Sequence, residues 1–291
     1  MSAGSDETPP AVSVVLPVYN AADLLPQCLD ALVAQTFGDF EVLAFEDGST
    51  DESGRILDEY AARDGRFRVI RQSNMGQYPT RNKALPLVRG RYMASVDCDD
   101  QPAEHMLERL YHRAEAFGAD IAIGGWDYID GVRSPPDVMQ WNLEAWSQGR
   151  YGDVFPMGFG YMWMKLYRTS FLREHDLRFR EEYFSKADVI FHWNSMSLAK
   201  RVVVVPEVLY HYRVHENSVT GRIGSKAVQT VGVMERIRQD LEELGDPRGL
   251  LEYWPAFAGG FLFGVLRQTS TEYRPAMIEA LRGFVDRREA M

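Results

Sequence analysis

The chain has 291 residues, with 32 Lys and Arg against 42 Asp and Glu and a net charge of −10. So acidic a chain lacks the basic face that a nucleic-acid backbone requires, which excludes nucleic acid as a partner. Hydrophobic residues at 45% and charged residues at 25% are ordinary globular usage, enough for a sizeable core. Two cysteines, Cys28 and Cys98, provide neither a disulfide framework nor a zinc spacing. Met1 to Pro10 is small, polar and acidic, unlike a secretory leader, and no apolar stretch reaches the roughly 18 residues of a spanning helix. A soluble, cytoplasmic protein is the expectation.

Residues 1–10 read as a loose tail. Val12 to Val18 (VSVVLPV) is a continuous β-branched run, the pattern of a strand buried on both faces. Ala21 to Gln35 carries Leu24, Leu25, Cys28, Leu29 and Leu32 at helical spacing, with Asn20 as its N-cap. Phe40 to Phe45 is a second strand, Asp51 to Arg63 a second helix, and Phe67 to Ile70 a third strand. A helix within Gly76 to Val88 and a strand at Tyr92 to Val96 follow. This alternation predicts an α/β fold with a mostly parallel sheet and helices on both faces. The second half is less regular. A helix is expected at Glu104 to Phe117, a strand at Asp120 to Gly124, a long loop over 131–160, and regular structure from Tyr161 to Leu172. A helix at Asp188 to Leu198 and two strands at Val202 to Val205 and Tyr210 to Val214 come next, then helices from Ser225 to Met291.

In parallel sheets ligands bind beyond the carboxyl ends of the strands. Those positions hold Tyr19-Asn20, Glu46-Asp47-Gly48-Ser49, Arg71 to Asn74, and Asp97-Cys98-Asp99-Asp100. Three carboxylates in four residues repel one another unless a cation intervenes, and Mg²⁺ or Mn²⁺ prefers such oxygen ligands. Taken alone, the same run also reads as a solvated turn with Asp100 capping the next helix. Asp47 can accept hydrogen bonds from a base edge or a ribose hydroxyl. Gly76 precedes a helix start whose N–H groups suit a phosphate, with Arg81 close by in sequence.

In their order and spacing these segments resemble the family 2 glycosyltransferases, which have the GT-A fold. The resemblance covers Val12 to Asn20, Glu46 to Asp51, Asn74-x-Gly76, Arg81-Asn82 and the Asp-x-Asp-Asp of residues 97–100. It continues through Lys165-Leu-Tyr-Arg168, Asp188 and Tyr210 to Thr220. It implies an enzyme that moves a sugar, with inversion, from a nucleoside diphosphate sugar (UDP or dTDP before GDP) to an acceptor nucleophile. The acceptor is a saccharide, a lipid-linked intermediate or a small metabolite. By the same resemblance Pro17, Tyr19, Asn20, Asp47, Asn74, Gly76 and Arg81 line the donor site. Asp97 and Asp99 bind ribose and the Mn²⁺- or Mg²⁺-diphosphate, and His215 joins the metal shell. Asp188 is the expected base, with Asp100, Trp163 and Trp193 on the acceptor side. Ala187 stands where the family carries a Glu before that Asp, and Asp188 also occupies a position suited to an N-cap. The Gln-x-x-Arg-Trp motif of processive synthases is absent, so single addition is implied.

The expected segments are a tail (1–10), a nucleotide-sugar half (11–102), an acceptor half (103–222) and a helical extension (223–291). Trp126, Trp141, Trp146 and Trp163 mark the acceptor half, and loop 131–160 is a candidate lid. Alternatives are a sugar nucleotidyltransferase, against which the lack of a glycine in Val18 to Ala22 counts, and a nucleotide-sugar-binding protein without catalysis. For the apolar run Tyr253 to Leu266, packing on the domain ranks first, a homodimer contact second and a membrane surface last. The reason is that the preceding run, Glu235 to Glu252, is mixed and somewhat acidic, whereas membrane-surface helices carry a basic face.

Overall fold

The computed structural model describes residues 8–131, 160–183, 185–215 and 225–289. The predicted loop over 131–160, with Trp141 and Trp146, lies outside the described residues from 132 to 159, as do Glu216 to Thr220 and most of the N-terminal tail. By its contacts the chain divides into two compact units. One comprises Met1–Pro135, Met162–Asp176 and Lys200–Arg213, the other Pro136–Tyr161, Leu177–Ala199 and Val214–Met291.

The first unit holds strands β1 (Val12–Val18), β2 (Phe40–Glu46), β3 (Phe67–Arg71), β4 (Tyr92–Ser95), β5 (Gln101–Pro102), β6 (Ile121–Tyr128), β7 (Lys165–Arg168) and β8 (Val202–Tyr212). They form one sheet in the order β3-β2-β1-β4-β7-β6-β8-β5. The β3, β2, β1 and β4 ladders are parallel, with Val12 opposite Phe40 and Val18 opposite Glu46. β7 runs antiparallel to both β4 and β6, while β6 and β8 are parallel and β5 closes the edge antiparallel to β8. Helices α1 (Leu25–Val33), α2 (Ser53–Arg63), α3 (Gln77–Ala84), α4 (Met106–Phe117) and α5 (Thr169–Glu174) complete this unit. Val12, Val14, Val15 and Leu16 are fully buried, which is why β1 reads as an unbroken apolar run.

Two local expectations are corrected. Asn20 does not cap α1, which begins at Leu25 without a side-chain cap. Instead Asn20 takes a left-handed φ of 47°, open to its short polar side chain, and its Oδ1 accepts the Thr50 N–H at 2.8 Å. The two strands expected at 202–205 and 210–214 are one, β8, which runs through Pro206 because register shifts beside it absorb the missing donor.

The second unit is built on helices α6 (Ala187–Leu198), α7 (Gln229–Glu243), α8 (Trp254–Gln268) and α9 (Arg274–Glu289). Trp193, Met234, Ile237, Trp254, Leu262 and Phe284 share its core. Trp254 Nε1 donates to the Met234 carbonyl at 3.0 Å, so the buried indole keeps its hydrogen bond. Buried Asp240 accepts from Arg180 at 2.7 Å, from Asn194 at 2.6 Å and from Arg236.

Asp120 pins β6 to its neighbours. Its carboxylate pairs with Arg168 on β7 and accepts the N–H groups of Lys200 at 2.7 Å and Arg201 at 3.0 Å. Burial pushes this carboxyl up, but the Arg168 and backbone hydrogen bonds outweigh it and leave the group below its ordinary range. A depressed folded-state value stabilises the fold above the unfolded value of about 3.9 and loses that stabilisation as pH falls through the folded value. Asp120→Asn is expected to cost about 2 kcal/mol near neutrality, with a deficit that shrinks below about pH 4 in melting curves taken across pH. Gly90 is tighter still, since a Cβ there would stand 2.4 Å from the Ser13 nitrogen and 2.8 Å from the Tyr92 carbonyl oxygen. Neither backbone atom can yield, and Gly90→Ala should cost about 3 kcal/mol in urea unfolding.

Candidate active site

The carboxyl ends of β1, β2 and β4 bring three loops together. Beyond β1, the Asn20 and Ala22 N–H groups donate to Ser49 Oγ and Asp51 Oδ2. Together with the Asn20–Thr50 bond they clip the first loop to the second. Gly48 takes φ +73° inside this turn, and a Cβ on it would meet the Asn74 nitrogen at 2.8 Å. Only glycine permits that approach of the Asn74 segment.

Asp47 is buried at the end of β2. Its Oδ1 accepts from Gln72 Nε2 at 2.8 Å and from the Met75 N–H at 3.0 Å, while Oδ2 accepts the Gly76 N–H at 2.9 Å. The carboxylate thereby shapes the segment 72–76 and the approach to α3. On α3, Arg81 is buried, donating to Ser95 Oγ at 3.0 Å and to Gln77 Oε1 at 2.8 Å, and forms an ion pair with Asp97.

Past β4, Asp97, Asp99 and Asp100 each turn an oxygen toward the others, all within 4.8 Å. Asp100 is buried. Its Oδ1 accepts the Arg213 N–H at 2.8 Å, and its Oδ2 is buried with no hydrogen-bond partner. Burial first, then the charges of Asp99 and Asp97, hold the Asp100 carboxyl well above the ordinary range. Asp100 does not cap the next helix, since α4 begins at Met106 after His105. The donor set fits a hard divalent cation. It is all oxygen, and it has an orphaned buried carboxylate oxygen on Asp100. Cys98 is held as a thiol, its pKa raised well above the ordinary value by burial and by Asp99 and Asp97.

The end of β8 holds this loop in place, a role the sequence did not disclose. The Asp97 N–H donates to the hydroxyl of fully buried Tyr210 at 3.1 Å, and Arg213 Nε donates to the Asp99 carbonyl at 3.0 Å. Tyr210 and Tyr212 both stack on Trp163, at centroid distances of 4.4 and 5.4 Å, and Trp126 meets Trp163 edge-on at 5.6 Å. The available signal was the alternation Tyr210-x-Tyr212, which puts both rings on one face of the strand.

Asp188, Trp193 and His215 belong to the second unit. Asp188 does not cap α6. Lys186 occupies the cap position at φ 66°, and Asp188 lies in the first turn, where a helix dipole favours a carboxylate. Trp193 is buried in the core of that unit beside Phe257.

The profile of Glycosyl transferase family 2 matches residues 13–176. The uncharacterized glycosyltransferase EpsJ of Bacillus subtilis is 33% identical over 225 residues, spanning 72% of this chain and 63% of that protein. The chain thus matches somewhat under two thirds of EpsJ's length. Among solved structures, S. aureus TarS 1-349 in complex with UDP-GlcNAc superposes with a TM-score of 0.78 at 23% identity, over 94% of this chain and 80% of that one. The mannosyltransferase PcManGT from Pyrobaculum calidifontis, in complex with GDP-Man and Mn2+, gives 0.59 at 14% identity, over 95% of this chain and 75% of that one. At those identities the likeness concerns the fold, which is of the GT-A type. The profile match extends over more than half the chain, from β1 through the acidic loop to α5, and this protein belongs to glycosyl transferase family 2.

Proposed function

We propose that the chain is an inverting, single-addition glycosyltransferase that uses a nucleoside diphosphate sugar, with UDP or dTDP as the nucleotide and Mn²⁺ or Mg²⁺ as cofactor. The observation that carries this reading is the convergence of Asp97, Asp99 and Asp100 within 4.8 Å at the end of β4. A protein of the same fold, S. aureus TarS, is known in complex with UDP-GlcNAc, which supports the uridine donor.

The nucleoside enters between the ends of β1 and β2, where Pro17, Tyr19, Asn20, Asp47, Asn74 and Gly76 contact it. Asp97 and Asp99, with His215, hold the divalent cation. When bound, that cation supplies positive charge to the diphosphate as its bond to the sugar breaks. Arg81 orients Asp97 through their ion pair and carries a further positive charge. The acceptor oxygen or nitrogen attacks the anomeric carbon from the opposite face and forms the new glycosidic bond as the bond to the diphosphate oxygen breaks. The electron pair of the broken bond leaves with the diphosphate, and the acceptor proton passes to Asp188. Asp100 and Trp163 serve the acceptor side, while Trp193, packed in the core of the second unit, is left out of it; the acceptor is a saccharide, a lipid-linked saccharide or a small metabolite. Both cysteines are free thiols, which accords with a cytoplasmic setting.

Two substitutions test the assignment. Asp99→Asn should remove the Mn²⁺-dependent part of UDP binding in a calorimetric titration, and equal affinity with and without metal in both proteins would refute the metal role. Asp188→Asn should keep donor binding and lose transfer by at least ~10²-fold, the scale of a general base. A near-native rate would move the base elsewhere.

A further inference from the structure

The acidic loop starts where β4 leaves the sheet. The Val96 N–H still donates to the Val15 carbonyl of β1 at 3.0 Å, whereas the next donor, the Asp97 N–H, goes to a side chain, the Tyr210 hydroxyl at 3.1 Å. A main-chain donor that has left its ladder needs another acceptor. Tyr210 supplies one from a fixed position. It is fully buried, and β8 holds it between Pro102 of β5 and Trp126 of β6. Its ring lies almost flat on Trp163, 4.4 Å away at 17°. The Asp97 carbonyl is held as well, accepting the Asp100 N–H at 3.1 Å and the Cys28 thiol at 3.5 Å. The backbone is thereby set so that Asp97, Asp99 and Asp100 bring their oxygens within 4.8 Å of one another. At that range carboxylates repel one another and press the loop open.

We propose, on the reading of these carboxylates as a cation site, that Tyr210 is a positioning residue for the divalent ion: by accepting the Asp97 N–H it keeps the carboxylates converged before the ion arrives, and so sets how tightly the ion binds. It acts through the backbone of Asp97 and contributes no ligand atom. Without its oxygen the Asp97 N–H turns to water, repulsion opens the loop, and a smaller fraction of molecules is ready for the ion. The apparent dissociation constant rises in proportion to that loss. The hydroxyl differs from Arg81 and Arg213, which also hold this loop, in carrying no charge. Its removal alters the placement of the carboxylates and leaves the charge of the site as it was, so the geometric contribution can be read by itself.

The test is a Mn²⁺ titration of the full chain, wild type against Tyr210→Phe, by calorimetry and by electron paramagnetic resonance of the ion. Phenylalanine keeps the ring and its stack and removes one oxygen. The Mn²⁺ dissociation constant should rise about ten-fold, the scale of one hydrogen bond lost in a buried setting. The metal-free melting temperature should fall by no more than about 4 °C. At saturating Mn²⁺ the variant should bind as many ions as the wild type and give the same bound-ion spectrum, because the same carboxylates hold the ion once it has drawn them together. Trp163→Phe, which thins the stack beneath Tyr210, is the second variant and should raise the constant about three-fold. If Tyr210→Phe folds and binds Mn²⁺ within about two-fold of wild type, Tyr210 does not set the affinity, and the cation site stands without it. Fewer ions bound at saturation, or an altered spectrum, would make Tyr210 a structural residue and overturn the proposal. A wild-type chain that binds no Mn²⁺ would overturn the cation reading and this inference together.

Discussion

Three carboxylates crowded at the end of one strand are the constraint around which the first unit is arranged. Left to themselves, Asp97, Asp99 and Asp100 would drive their loop into solvent. They are restrained instead from two sides, by α3 and by the residue that follows β8. Arg81 from α3 pairs with Asp97, the Arg213 N–H holds Asp100, and the Arg213 guanidinium holds the Asp99 carbonyl. Tyr210 receives the Asp97 N–H from beneath. One oxygen of Asp100 stays buried and orphaned, and a divalent cation among the three carboxylates would offset their mutual repulsion. The mixed sheet serves this loop. β8 runs beside β6 to reach it, and the parallel ladder of β1, β2 and β4 brings the loops after β1 and β2 to the same lip.

Much of the first unit was readable from periodicity, because a strand buried on both faces writes itself as an uninterrupted apolar run. β1, β2 and β4 fall within a residue or two of expectation, and the acidic loop sits where the parallel-sheet rule puts it. Two features escaped for identifiable reasons. β8 looked like two strands because Pro206 usually ends a ladder, and only the register against β6 reveals how the strand passes it. Asn20 looked like a helix cap because caps favour Asn, but long-range bonds to Ser49 and Thr50 claimed it. Local preference lost to tertiary pairing in both cases.

The candidate site divides along the same line. Carboxylates are legible because several together are costly without a partner, so Asp47 and the acidic loop stood out. The groups that position them did not. Tyr210, Gln72 and Ser95 are ordinary residues in a sequence and acquire their roles only through register and proximity. Aromatic residues were the least informative. Trp163 stacks beside the acidic loop, whereas Trp193, equally prominent in sequence, is packed in the core of the second unit. A large ring is equally at home in a core and against a sugar, and sequence alone does not separate the two.

The hydrogen bonding of Asp47 has a consequence for the segment before α3. Its two oxygens take three donors, Gln72 Nε2 and the N–H groups of Met75 and Gly76. A carboxylate offers about four acceptor positions, so most of this one is spent on shaping its own surroundings. One buried side chain therefore fixes the path of the chain from Gln72 to Gly76, and the direction in which α3 sets out is inherited from the end of β2.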